Sequence, residues 1–220
     1  MDRELIFNKI KKAAKAEKIS LIVKLCHGKT VLDIGCAGQD LSIYNPGWLH
    51  NKIKSVASDL DGVDIEPESI RQMKELGYSV VSEDELKLTG KKYQVVLMAD
   101  VIEHVNDPVE FLRFYSSFLA TDGRLVITTP NAHGIRNFTS ILASNNYSVN
   151  PQHTFWLCPK TMIEITQRAG LLFDDFFWLD EYYTVHDIRN FKYKIIYIIN
   201  KLLQKLRSNF YPNFMFIVSK

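Results

Sequence analysis

Cysteine is scarce in this chain. Cys26, Cys36 and Cys158 are the three present in 220 residues, and no two have a zinc-binding spacing. That excludes a disulfide scaffold and points to a reducing, cytoplasmic setting. No apolar run reaches the roughly 18 residues of a membrane-spanning helix. The opening Met1-Asp2-Arg3-Glu4 is charged and lacks the apolar stretch of a secretory leader. There is no internal repeat and no low-complexity tract, which excludes solenoids and disordered linkers. Basic and aromatic residues do not cluster as base-stacking surfaces require, so no nucleic-acid partner is expected. Acids are missing from the C-terminal end. Seven of the 27 lysines and arginines follow Asp187, and none of the 25 acids does. Residues 188–220 therefore carry a formal +7, and residues 1–187 carry −5. What remains is 46% hydrophobic and long enough for one domain with a full core.

The most telling stretch present is Thr30-Val31-Leu32-Asp33-Ile34-Gly35-Cys36-Ala37-Gly38. It reads as a buried strand that runs into a tight turn of small residues. Gly35 and Gly38 leave the backbone nearly bare, so a ligand can approach and N–H groups stay free to donate. In an open α/β sheet, nucleotide-like ligands sit at the carboxyl end of a central strand. A dinucleotide site would need G-x-G-x-x-G. Here Ala37 holds the second position and Asp40 the third. Acids at Asp33 and Asp40 suit a cationic ligand without phosphate. S-adenosylmethionine, with a sulfonium and an amino group, fits better than NAD.

The rest of the pattern supports a sheet. Gly62-Val63-Asp64-Ile65 reads as a second strand. Its Asp64 falls where a ribose-binding carboxylate is expected, about 20–30 residues after the turn. Val80-Val81, Tyr93–Met98 and Gly123–Thr129 read as further strands. A short helix over Ile70–Leu76 ends at Gly77. Another opens at Asp107-Pro108, carries Leu112, Phe118 and Leu119 on its apolar side, and closes at Asp122-Gly123. A third covers Thr161–Arg168. Strands alternating with helices at this spacing predict an α/β, Rossmann-like, doubly wound sheet.

Four segments, VLDIGCAGQD, GVDIEPESI, VVLMADVIEHVNDP and GRLVITTPN, occur in order. Together they resemble the class I methyltransferases that use S-adenosylmethionine. The chain is most similar to the methyltransferase-23 and ubiquinone-biosynthesis-like branch, with its E-H-x-x-[DN]-P element. NPQHTFWLCPKTMIEITQRAG resembles a segment of members associated with cell-surface glycan or lipid methylation. The resemblance implies a mostly parallel sheet with an antiparallel last strand, here Phe214–Val218. It implies that Asp33 holds the amino end of the cofactor, and that Gly35, Cys36, Ala37 and Gly38 run beneath it. Asp64 then binds the ribose and Ile65 packs on the adenine. Asp84 contacts the adenine amino group, with Glu85 as rival. Ala99, Asp100 and Val101 line the pocket beside the sulfonium. Gln39 departs from the family, where glycine is common. The product would be S-adenosylhomocysteine.

A single domain over 1–220 is expected, with three appended parts. Residues 1–26 form a helical lid, with Ile6, Ile10, Ala13, Ala14 and Ile19 on one side; the resemblance places it beside the cofactor. Residues 132–160 cap the acceptor side. Residues 188–208 form a basic amphipathic helix inserted before the last strand. Such a stripe commonly packs on the domain or a second subunit, and that is the expectation here. The other reading is peripheral contact with an anionic membrane, at its inner face, or with a lipid-linked substrate.

Methyl transfer needs in-line positioning and exclusion of water more than protein chemistry. An alcohol acceptor also needs a base, and histidine is suited near neutral pH. His104 follows the fourth strand, and His153 lies beside Phe155 and Trp156 in the cap. Both are catalytic candidates, each with a structural alternative. His133 is weaker, and His27, His50 and His186 look peripheral. Asn131 could orient the acceptor or cap a turn. Asp100, Glu103 and Asp107 could hold a cation, but three nearby oxygen donors do not make a site, so no metal is expected. The reading is O-methylation of a sugar or lipid-linked hydroxyl. Its alternatives are a soluble phenol, quinone precursor or other metabolite, and a non-catalytic cofactor-binding module.

Overall fold

A computed structural model describes residues 2–38, 45, 47–145, 149–180, 186 and 188–220. Gln39 and Asp40, and the readings placed on them, lie outside the described residues.

Eight strands form one sheet. They are β1 (Lys15–Ala16), β2 (Thr30–Ile34), β3 (Asp59–Val63), β4 (Val80–Val81), β5 (Tyr93–Ala99), β6 (Leu119–Pro130), β7 (Leu172–Leu179) and β8 (Asn213–Ser219). Their order is β1-β7-β8-β6-β5-β2-β3-β4. The pairs from β6 through β5, β2 and β3 to β4 are parallel, and β8 runs antiparallel to both β6 and β7. The expected fold class is therefore observed.

The helices are α1 (Arg3–Lys11), α2 (Lys18–Cys26), α3 (Leu49–Lys54), α4 (Pro67–Glu75), α5 (Glu83–Thr89), α6 (Pro108–Ser116), α7 (Ile135–Ser144), α8 (Pro159–Arg168) and α9 (Phe191–Leu206). Alternation along the central strands sorts the core onto two faces. Leu32, Ile34, Val96 and Met98 join Ile6 and Ile10 of α1, Leu112 of α6, and Met162 of α8. Val31, Val95 and Leu97 join Ile22 of α2 and Ile53 of α3. These strands are apolar on both faces, as a sheet covered on both sides requires.

Several boundaries differ from the sequence reading. The second strand ends at Val63, so Asp64 stands just beyond it, at the ligand rim. The helix after Asp107 stops at Ser116, and β6 already begins at Leu119, ahead of Asp122-Gly123. β7 was not foreseen. Its adjacent Asp174 and Asp175 break the period of two, and its pairing with β8 shifts register there. The acids after Val80-Val81, expected to offer an adenine contact, instead open a helix, where Ser82 and Glu85 form a reciprocal capping box.

The appended segments fall as follows. α1 packs on α8, where Arg3 meets Gln167 and Glu164. α2 faces the central rim, with the Lys18 ammonium on Asp100. α7 pairs with α9, through Asn200 Nδ2 donating to Thr139 Oγ1 at 3.2 Å. The expectation that the apolar stripe of α9 packs on the domain is not met. Asn200 and Gln204 are its buried residues, while Phe191, Ile198 and Leu202 are exposed.

Candidate functional site

Parallel strands carry their carboxyl ends to one rim, and the sequence motifs converge there. A cavity of about 280 Å³ opens at the ends of β2 and β5. Asp33, Gly35, Cys36, Gly38 and Ala99 line it, as predicted for the cofactor, with Asn45 and Trp48 added. Its described lining has one carboxylate and no lysine or arginine.

Asp33 is 3% exposed, and its Oδ2 pairs with His50 Nδ1 at 2.8 Å. His50, 1% exposed, is thus not peripheral but the inner support of this acid. Trp48 Nε1 donates to the Cys36 carbonyl at 2.8 Å and packs edge-on against Tyr78. Nothing local in the sequence marks Trp48 or His50, because their helix returns to the turn only in the folded chain.

The glycine turn differs in one respect from its sequence reading. Its N–H groups are not free. Gly35 and Cys36 both donate to Val63 O, at 2.8 and 3.2 Å, Ala37 to Asp64 Oδ2 at 2.9 Å, and Gly38 to Gly35 O at 3.3 Å. The β2–β3 pairing simply continues into the turn. What the turn offers a ligand is the missing side chain. Gly35 has φ +69, and a Cβ there would lie 2.8 Å from Val101 Cγ2. Burial pushes the Cys36 thiol well above its ordinary range, which keeps it an inert thiol.

Asp64 also accepts from Ile65 N at 2.8 Å and Glu66 N at 3.1 Å. A carboxylate has about four lone-pair sites, so capacity remains for hydroxyls. Ile65 is 93% exposed, an open apolar face at the rim. Asp84 stands apart. Its carboxylate is 92% exposed and pairs with Lys87 on its own helix. Glu85 is engaged with Ser82 N and Lys74. Neither lines the cavity described above.

Asp100 follows β5 at φ +57, a left-handed conformation that is strained for a residue with a side chain. Thr128 Oγ1 donates to its Oδ1 at 2.9 Å, and the 5%-exposed Lys18 pairs with its Oδ2. Lys18 was missed, since it lies 82 residues away in sequence.

A second cavity, about 230 Å³, lies on the other side of the same rim. Glu103, Arg136, Asn137, His153, Phe155 and Trp156 are among its walls. His104 and His153, the two candidate bases, meet edge-on with ring centroids 4.6 Å apart. The His104 Nδ1 lies 3.2 Å from Gln152 O, and Thr154 Oγ1 donates to the carbonyls of Glu103 and Val105. The cap is thereby latched to the 3-10 turn Ile102–His104. Burial, then His104, holds the His153 imidazole below its ordinary value. Glu103 is 1% exposed; its Oε2 accepts from Thr129 Oγ1 at 2.9 Å, and its Oε1 has no partner. Burial, then the Asp100 charge, pushes Glu103 up to about 8. The sequence reading gave Glu103 no role besides a cation; a buried acid after a strand end was the available signal.

Asn131 does not point to an acceptor. Its amide donates to Asn209 O and Tyr211 O, both at 2.8 Å, and its Oδ1 accepts from His133 N. Asn137 donates to the carbonyls of residues 131 and 132. His133 is exposed. The expected Asp100–Glu103–Asp107 grouping fails, because Asp107 caps α6 by accepting from Val109 N and Glu110 N. Instead Glu103, His104 and His153 bring one donor atom each within 4.8 Å of one another, a set suited to a divalent ion.

Comparison with known proteins gives a consistent family. The model of a methyltransferase domain family matches residues 6–172. A ubiquinone biosynthesis O-methyltransferase of Aeromonas salmonicida is 26% identical over 163 residues, covering 67% of this chain and 65% of the relative. The counterpart of Arabidopsis thaliana, a mitochondrial enzyme, is 25% identical over 160 residues, covering 66% of this chain and 47% of the relative. The chain thus spans less than two thirds of the length of these relatives. A SAM-dependent methyltransferase of Archaeoglobus fulgidus has the same fold, with TM-score 0.59 and 21% identity over 100% of this chain and 95% of that one.

Proposed function

This chain belongs to the methyltransferase domain family, and we propose that it moves the methyl group of S-adenosylmethionine onto a hydroxyl oxygen of a small aromatic acceptor. One observation carries the reading. Two cavities share the rim after β5, with Ala99 in the wall of one and Glu103 in the wall of the other. A donor and an acceptor can therefore meet across four residues.

The first cavity fits the cofactor. Its buried Asp33 suits a cationic amino group, and the absence of basic residues from its described lining disfavours a phosphate. Asp64 would take the ribose hydroxyls, and Ile65 the adenine face. When bound there, S-adenosylmethionine supplies an electrophilic methyl on a positively charged sulfur.

The chain's own residues set up the acceptor. His153 is held neutral at pH 7, so its imidazole can take the hydroxyl proton. His104 steadies that ring from the edge. Glu103 is mostly protonated at pH 7 and can hold a proton beside His153 without adding charge to the cavity. Phe155, Trp156 and Leu157 supply apolar wall, and the cap excludes water.

An aromatic acceptor is favoured over a sugar. A sugar needs several free polar groups, but the Asn131 and Asn137 amides are engaged with backbone carbonyls. The curated relatives point the same way, since both are ubiquinone biosynthesis O-methyltransferases. The glycan-associated acceptor has no comparable support.

The test uses radiolabelled S-adenosylmethionine with a catechol, a free sugar and a lipid-linked sugar in parallel. Label on the catechol oxygen supports the reading. Label on a sugar alone overturns the acceptor class. Absence of any thermal shift with S-adenosylmethionine or S-adenosylhomocysteine overturns the cofactor.

A further inference from the structure

α9 is built inside out. At 3.6 residues per turn, Phe191, Ile195, Ile198, Ile199, Leu202 and Leu206 fall within an arc of about 100°. All six are exposed, between 45% and 75%. The residues the helix buries lie on the opposite side and are polar, Asn200 at 4% and Gln204 at 1%. Both Gln204 side-chain atoms and Asn200 Oδ1 are buried without a partner. A free surface helix shows the reverse arrangement.

The face continues beyond α9. Phe138, Ile141 and Leu142 of the adjoining α7 are 47%, 41% and 87% exposed. Contiguous apolar exposure on this scale marks an interaction surface rather than scattered surface residues.

The charges name the partner. Lys194, Lys201 and Lys205 flank the apolar arc on one side and Lys192 on the other, with Arg207 at the helix end. No acid occurs in 188–220, and none in 124–163, which includes α7. Lys201 is paired with Asp180, which leaves Lys194 and Lys205 on one side and Lys192 on the other. Apolar side chains flanked by cations in this way complement the boundary of an anionic bilayer. No helix among the described residues is long and apolar enough to cross one.

We propose that the paired outer faces of α7 and α9 dock this protein onto an anionic phospholipid surface. Phe191, Leu202 and Leu206 enter the headgroup–acyl boundary, and Lys194 and Lys205 meet lipid phosphates. Arg136 and Asn137, in the first turn of α7, also wall the acceptor cavity. Docking therefore brings the cavity next to the bilayer, so a membrane-dissolved acceptor enters without crossing water. That consequence rests on the methyl-transfer reading; the docking does not.

The full chain is sedimented with sucrose-loaded vesicles of phosphatidylcholine alone, and of phosphatidylcholine with one quarter phosphatidylglycerol, at low and high salt. Binding to the anionic vesicles, weakened by salt, is expected. Lys194→Glu with Lys205→Glu should weaken it by more than about thirtyfold. Phe191→Ser with Leu202→Ser should abolish it at high salt, where only apolar contact remains. Phe191, Leu202 and Lys205 are exposed and Lys194 is half-buried, so these changes leave folding intact, which S-adenosylhomocysteine binding by calorimetry verifies. No pelleting with anionic vesicles at low salt, with cofactor binding preserved, overturns the proposal and leaves the methyl-transfer reading standing. A dimer in sedimentation velocity that the serine variants dissolve, without vesicle binding, also overturns it by assigning the face to a second copy. Vesicle binding without cofactor binding supports the docking and overturns the enzymatic reading.

Discussion

Replacing Gly35 by alanine tests how the cofactor turn is held. The residue sits at φ +69, and an added Cβ would approach Val101 Cγ2 to 2.8 Å. Two costs follow. A left-handed conformation costs a residue with a Cβ about 1–2 kcal/mol. Overpacking against a neighbour costs about 1–3 kcal/mol more. The variant should lose about 2–5 kcal/mol, a large part of the roughly 5–15 kcal/mol that holds a domain together. Trimming the neighbour separates the two costs. Val101→Ala alone should cost about 1 kcal/mol for lost packing. In the double variant the overlap disappears and the backbone strain stays. The double variant should therefore be more stable than the sum of the singles by about 1–3 kcal/mol. Urea unfolding with a common m-value reads all four corners of the cycle. Calorimetry with S-adenosylhomocysteine shows whether the relieved turn binds again. Additive losses would refute contact between Gly35 and Val101. A Gly35→Ala loss within about 0.5 kcal/mol would refute the strained turn as well.

Other outcomes follow from the same geometry. Glu103 folds with a value of about 8 against an ordinary 4.5, so between those pH values the folded chain keeps a proton that the unfolded chain releases. Stability should fall as pH rises from about 4.5 to about 8, and Glu103→Gln should remove that fall; parallel stability curves for the two proteins would contradict the buried, protonated acid. His153 is shifted below 6.5, so kcat/KM on a phenolic acceptor should rise with pH through a midpoint under 6.5. His153→Asn should lower kcat by about 10²–10⁴-fold, and an unchanged rate would remove it from base catalysis. Asp64→Ala leaves three backbone donors without their acceptor, and should cost about 1–3 kcal/mol of stability and weaken S-adenosylhomocysteine binding; unchanged affinity would end its ribose role.

The two histidines illustrate what sequence can convey. The sequence marks His104 by its place after a strand end, and His153 by its place among aromatics in the cap. Their edge-to-face meeting, with ring centroids 4.6 Å apart, spans 49 residues of chain and depends on Thr154 latching onto the Glu103 and Val105 carbonyls. Asp84 shows the opposite case. The acid-rich run suggested an adenine contact, but the same residues satisfy a capping box and short-range ion pairs, and the helix claims them. β7 escaped notice because Asp174-Asp175 interrupts its alternation, although Phe176, Trp178 and Leu179 are buried against β8 and α1.

The sequence by itself determined the strand-turn motif, the parallel sheet and the acid-lined character of the cofactor rim. Those depend on local steric preference and on periodicity, which are written residue by residue. Only tertiary structure decided that Asp33 is supported by His50, that Lys18 reaches Asp100, and that Glu103 is desolvated beside two histidines. Each joins distant segments, so its energy appears only after the chain has closed those loops. The direction of α9 belongs with them. Its amphipathic pattern was plain in the sequence, but a pattern says only that two faces differ. Which face meets the protein is settled by packing, and here the polar one does.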